Sequence, residues 1–213
     1  VLEAETDGEV EVSLFPFGQL GSEDQLVQAV NLGTLDAAAI SAGNMSPHVP
    51  ELDLFNLPFI FRDVDHFYKV LDGPVGRWVA RTIEKNLNVV FIDFWTVGTR
   101  HAWNGKRPIR VPDDLQGLKI RVMGSPILIE SFNIFGAQAT SMSWGELYSA
   151  LQLGVIDGAE SSLVDILVER FYEVSKYVSL TGHTIGAASF IFNKNRYEQL
   201  PPHVQTAILK AGR

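Results

Sequence analysis

The chain of 213 residues contains no cysteine. That excludes disulfides, thiolate metal sites and a cysteine nucleophile, and it fits an oxidising compartment where stray thiols are a liability. It also lacks any apolar run near the roughly 18 to 20 residues of a membrane span. The longest candidate, LDLFNLPFIF, is broken by Asn56 and Pro58. Basic residues are few and scattered, 17 against 25 acidic ones for a net charge of -8, so no basic face for nucleic acid is expected. GxSxG, GxxxxGK[ST], GxGxxG and HExxH are all missing. The five histidines, at 48, 66, 101, 183 and 203, have no mutual ligand spacing, so no zinc site is expected; no cofactor and no other metal are expected either. The chain starts without Met or a basic and then apolar leader, which leads us to expect a signal peptide already removed.

With 46% hydrophobic residues the chain can bury a core, and its 18 glycines and 10 prolines fall between apolar runs. VEVSLF (10 to 15) alternates as a strand with one buried face, and FPFGQLG follows as a turn. Ser22 and Gln25 form a capping-box pattern ahead of an apolar helix that Gly33 closes, and the strand LDAAAI comes next. Helices are expected around 63 to 72 and 74 to 86, then the strand NVVFIDF. After residue 98 the pattern restarts with strand LKIRV, helix PILIESFNIFG, a short strand near Gln138 and a helix opened by Ser143 with Glu146 as a second capping box. This alternation predicts an α/β fold with parallel sheets and crossover helices.

An internal echo points to two lobes. QAVNLGTLDAAAIS (28 to 41) aligns without gaps on SALQLGVIDGAESS (149 to 162), with six of fourteen positions identical. Any helix, glycine cap and strand would share small and apolar residues. The sharper expectation is a two-lobed, periplasmic-binding-protein-like architecture, with residues 41 to 44 and 160 to 162 facing a shared cleft beyond their strands. The expected division is 1–97 for the first lobe, 98–186 for the second, and 187–213 returning to the first.

In LKIRV, Leu118, Ile120 and Val122 take one face and leave Lys119 and Arg121 on the other. A guanidinium on an interior strand presents a planar donor fork to a carboxylate. Arg100, two residues past Gly98, is a second candidate. Trp144, in the first turn of a helix, and Trp95, just past a strand, are placed to cover a ligand, although core packing is the default for Trp95. His101 and His183 are candidate cleft donors. Asp157 and Glu160, three apart on one strand, point to opposite faces and make no acid/base pair.

Together FPFGQLG, LGTLDAAAIS, VPELDLFNLPFIF, DVDHFYKVLDGPVG, GTRHAW, DDLQGLKIRV, MSWGELYSALQLGVIDGAE and FYEVSKYVSLTGH resemble, nearly end to end, the solute-binding subunit (DctP-type) of tripartite ATP-independent periplasmic (TRAP) transporters. The resemblance implies further segments before and after, with VLEAETDG as the tail of a first helix. It implies a periplasmic protein, exported with a cleaved signal peptide, that binds a small organic acid and delivers it to integral membrane subunits. It places Arg121 on the substrate carboxylate, Arg100 within reach of the ligand, and Trp144 as the aromatic wall. Ser161 and Glu160 fall in the DGAES segment, where many relatives read DGxEN. Gly124 falls where relatives are often polar, and Ser41 and Asn44 contribute from the first lobe. A sugar acid such as a uronate is favoured slightly over a C4-dicarboxylate. The alternative is an enzyme acting on a small organic acid with Glu160 or His183 as base.

Overall fold

The computed structural model describes residues 1–16 and 18–212. Its elements run in the order α1 (Leu2–Glu5), α2 (Glu23–Leu32), β1 (Ala37–Ser41), α3 (Ala42–Met45), a 3-10 segment (Pro50–Asn56), α4 (Val64–Leu71), α5 (Pro74–Asn86), β2 (Val89–Asn104), β3 (Lys119–Val122), α6 (Pro126–Ile134), β4 (Gln138–Ser141), α7 (Leu147–Gln152), β5 (Gly158–Ser162), α8 (Leu163–Val168), β6 (Tyr177–Asn193), α9 (Lys194–Gln199) and α10 (Pro202–Ala211).

Local chemistry sets the helix ends where the sequence puts them. Ser22 Oγ accepts from the Gln25 amide while the Gln25 side chain accepts from Ser22 N, and Gly33 takes the left-handed conformation, φ 80°, that stops α2. Asp63 caps α4 through the His66 amide at 2.7 Å. Pro74 opens α5, where its missing N–H costs no hydrogen bond.

The six strands form one sheet in the order β1-β6-β2-β5-β3-β4. The expected parallel arrangement is corrected, because β1 with β6, β6 with β2 and β2 with β5 are antiparallel and only β3 with β4 and β5 is parallel. Alternation of helices and strands constrains element order but not strand direction. Here two long strands, β2 of 16 residues and β6 of 17, run the length of the molecule against each other.

The strand expected over 10 to 15 does not form: residues 11 to 16 take no regular secondary structure, and Leu14 and Phe15 are exposed. The turn after it occupies 18 to 20, and Phe17 lies outside the described residues. The second capping box does not form in the expected way. Ser143 Oγ donates to the Glu146 carboxylate at 2.5 Å and leaves the backbone uncapped, so a 3-10 turn (Trp144–Glu146) precedes α7.

The echoed segments occupy corresponding places. Helix, left-handed glycine, strand and a serine leading into a helix recur as α2, Gly33, β1, Ser41, α3 and as α7, Gly154, β5, Ser162, α8. β1 lies antiparallel on β6, and β5 antiparallel on β2, so the two copies flank the central β6–β2 ribbon on either side. Buried apolar side chains divide along that ribbon. Val89 and Phe94 of β2 join Val27, Val30, Ile40, Phe67 and Ile83 in one cluster, whereas Ala102 packs with Ile120, Leu128 and Phe132, and Trp103 with Leu147 and Phe171. Between Phe94 and Ala102, β2 belongs to none of these clusters, and Arg100 is buried there.

Candidate functional site

A cavity of about 1360 Å³ opens between the first turn of α2, the end of β1 with α3, Arg100 on β2, the end of β3, the loop 141 to 146, and Asp165 and Glu169 at α8. Of the residues expected at the ligand, Arg121, Arg100, Trp144, Ser41, Asn44 and Gly124 line it.

Alternation puts Arg121 there. Ile120 and Val122 are drawn into the apolar cluster on one face of β3, so the intervening side chain is forced onto the other. β3 is an interior strand between β5 and β4, and the Arg121 side chain is consequently 1% exposed. Its Nε donates to the Met142 carbonyl at 2.9 Å, and its guanidinium lies 5.5 Å from the Trp144 ring centroid. Nη1 has no hydrogen-bond partner, and no carboxylate among the described residues forms an ion pair with it. Burial pulls the group down to about 10; Glu160 and, more weakly, Glu23 act to retain its charge, against the nearby Arg100.

Arg100 is different. Its Nε donates to Glu160 Oε2 at 2.5 Å, and its Nη2 to Glu160 Oε1 at 2.9 Å and to the Glu160 carbonyl at 2.8 Å. Burial alone would push the Glu160 carboxyl up, but the Arg100 charge and the nearby His183 outweigh it and hold the group at about 2. Gly186 leaves room for this arginine, since a Cβ at that position would sit 3.2 Å from Arg100 Cδ and 2.5 Å from Val97 Cγ2.

Four of the residues expected at the ligand, Glu160, Ser161, His183 and Trp95, are not among those lining the cavity. β5 is buried along its whole length, and its side chains are consumed internally. Glu160 neutralises Arg100. Ser161 Oγ accepts from Trp103 Nε1 at 3.0 Å and donates to the Ser162 carbonyl. His183 shares a hydrogen bond with Thr181 Oγ1 at 2.8 Å and stands edge-on to Phe132; its Nε2, 3.4 Å from Glu160 Oε2, is too far for a good hydrogen bond. Trp95 packs against Phe190. His101 accepts from the Gly182 amide at 3.0 Å, again away from the cavity, and burial lowers its pKa. Residues 160 to 162 thus lie behind the cavity, and Asp165 of α8 and Glu169 just past its end line it.

Sequence reasoning missed Glu23. It accepts from Ser41 Oγ at 3.0 Å, from Ser41 N at 3.3 Å and from Asn44 Nδ2 at 2.6 Å. In sequence it is simply an acid in the first turn of a capped helix, where the helix dipole favours one anyway. Asn44 also carries the link onward, its Oδ1 accepting from Gly124 N at 2.9 Å, so α2, α3 and the end of β3 are tied into one polar chain.

A walled cavity with a desolvated, unpaired guanidinium is a receptacle for a small anion. The chain belongs to the bacterial extracellular solute-binding protein family 7, whose sequence model matches residues 1–213. It is 34% identical over 213 residues to the 2,3-diketo-L-gulonate-binding periplasmic protein YiaO of Escherichia coli (strain K12), covering 100% of this chain and 64% of that protein. The chain thus spans about two thirds of that relative's length. The structure of a TRAP periplasmic solute-binding protein from Polaromonas sp. JS666 bound to D-erythronate superposes with a TM-score of 0.95 at 33% identity, over 99% of this chain and 69% of that one. A TRAP periplasmic solute-binding protein from Sulfurospirillum deleyianum with bound succinate also superposes with a TM-score of 0.95, at 37% identity, over 99% and 68% of the two chains.

Proposed function

We propose that the protein is the periplasmic receptor of a TRAP transporter, exported with a cleaved signal peptide, which captures a small organic-acid anion and delivers it to the integral membrane subunits. The observation that carries this reading is Arg121: buried, charged, and with Nη1 unpartnered beside the cavity. A buried cation without a counter-charge is costly, and a ligand carboxylate supplies that charge through the guanidinium fork. Trp144 covers the bound acid, Ser41, Asn44 and Gly124 line the facing wall, and Arg100 braces the site while held by Glu160. We read residues 1–97 with 187–213 as one lobe and 98–186 as the other, joined through β2 and β6, so that closure over the ligand is the state the transporter recognises.

An enzyme using Glu160 or His183 as base finds no support. A carboxyl held at about 2 is a weak base, and both side chains lie outside the cavity. Titration calorimetry on the full chain with hydroxy acids, keto acids and dicarboxylates tests the reading. Arg121→Ala is expected to weaken the bound acid by about 2 to 5 kcal/mol, more than tenfold in Kd. Undiminished affinity in that variant would overturn it.

A further inference from the structure

The charge around the cavity is lopsided. Two guanidinium groups, Arg100 and Arg121, meet five carboxylates, Glu23, Asp24, Glu146, Asp165 and Glu169. Glu160 already cancels Arg100 through two hydrogen bonds, which leaves Arg121 as the cation with unused capacity. The site can therefore neutralise one ligand carboxylate well, and a second would enter a wall that is already negative.

Glu23 is the acid whose setting gives this imbalance chemical content. All three of its hydrogen-bond donors are neutral: Ser41 N, Ser41 Oγ and Asn44 Nδ2. They fix the carboxylate in place without cancelling its charge. The Ser41 amide is shared between Oε1 and Oε2 at 3.3 Å each, so three donor hydrogens serve a carboxylate that accepts about four, and a donor brought by the ligand can take over one arm of that long, shared contact. Asn44 adds rigidity, since its Oδ1 is held by the Gly124 amide two residues past β3, the strand that carries Arg121. A ligand hydroxyl satisfies the spare acceptor, whereas a second ligand carboxylate offers no proton and meets like charge.

We infer that Glu23 makes this site selective for hydroxylated monocarboxylates of the sugar-acid class over dicarboxylates, with Arg121 taking the carboxylate and Glu23 a hydroxyl. The inference rests on the reading of Arg121 as the carboxylate anchor.

The test is calorimetry with D-erythronate, D-galacturonate and succinate on wild type, Glu23→Gln, Glu23→Asp and Arg121→Ala, each confirmed folded by its melting transition. Wild type is expected to bind at least one of the hydroxy acids tighter than succinate by about tenfold or more. Glu23→Gln should shrink or reverse that ratio, weakening the hydroxy acid and strengthening succinate. Glu23→Asp, which keeps the charge, should preserve the preference for the hydroxy acid. A wild type that prefers succinate, or a ratio unchanged in Glu23→Gln, overturns the role of Glu23; if Arg121→Ala has meanwhile lost binding, the anchor reading survives. Binding unaffected by Arg121→Ala, or a wild type that takes none of the three acids, overturns both.

Discussion

Arg100 and Arg121 are the same side chain in opposite circumstances. Both are almost fully buried, but one has a carboxylate in its fork and the other has a backbone carbonyl and an aromatic ring. Removing the partner of the first strands a charge, so Glu160→Gln is expected to destabilise the fold by about 3 to 5 kcal/mol in urea denaturation. The same pair has a pH signature. Glu160 is held below its ordinary value of 4.5, at about 2, so its contribution to stability is complete above about pH 5 and fades as the pH falls from there towards 2. Acid unfolding followed by tryptophan fluorescence should show wild type losing stability over that window and Glu160→Gln lacking this component. Ser161 separates support from recognition. Ser161→Ala leaves the Trp103 indole N–H buried without an acceptor and is expected to cost about 1 to 3 kcal/mol of stability, with the order of ligand preference unchanged. A changed preference would place Ser161 at the ligand after all.

The central ribbon governs the site at the scale of elements. β2 and β6 pair with register shifts between Thr96 and Gly98 and again between Arg100 and Ala102, where residues 180 to 183 of β6 loop out opposite His101. Arg100 stands at the second irregularity with its alkyl chain against Gly186 of the neighbouring strand. A methyl group there would displace Val97 and Arg100 together, so Gly186→Ala is expected to weaken acid binding several-fold while the chain still folds; calorimetry beside a melting curve distinguishes the two effects. The legible and illegible parts of the site also separate by element. β3 could be read directly, because strand alternation in LKIRV alone dictates which face Arg121 takes. β5 could not be read in the same way: DGAES looks like a cleft edge in isolation, but β5 lies between β2 and β3 and all five of its residues are buried, with Glu160 and Ser161 bonded to internal partners. VEVSLF misled for a related reason, since a half-buried strand requires a neighbour to pair with, and alternation cannot supply one.

For the molecule as a whole, three clusters of buried apolar residues share one sheet, and elements that carry all three bound the cavity. Two hydrogen bonds reach from the segments after β1 to those after β3, Asn44 to Gly124 at 2.9 Å and Ser125 to Asp53 at 2.5 Å. A ligand that binds only the folded protein stabilises it by about 2.7 kcal/mol at a hundredfold excess over Kd. At about 2 to 4 °C per kcal/mol for a chain of this size, a cognate acid should raise Tm by about 5 to 10 °C in a thermal-shift assay, and the rise should vanish in Arg121→Ala. A cognate acid that leaves Tm unmoved would argue against the cavity as the binding site.

By itself the sequence determined what this chain is built from: no cysteine, scattered basic residues, helices and strands in a known order, and an arginine on the polar side of a strand. Those properties are local, set by composition and by the period of a strand or helix. Only the tertiary structure decided strand direction, the absence of the first expected strand, and the charge state of the site. Arg100 and Glu160 lie 60 positions apart, and Glu23 and Asn44 lie 21 apart. Which guanidinium lacks a carboxylate partner, and which carboxylate lines the cavity, depends on contacts that exist only once the sheet has brought such distant residues together.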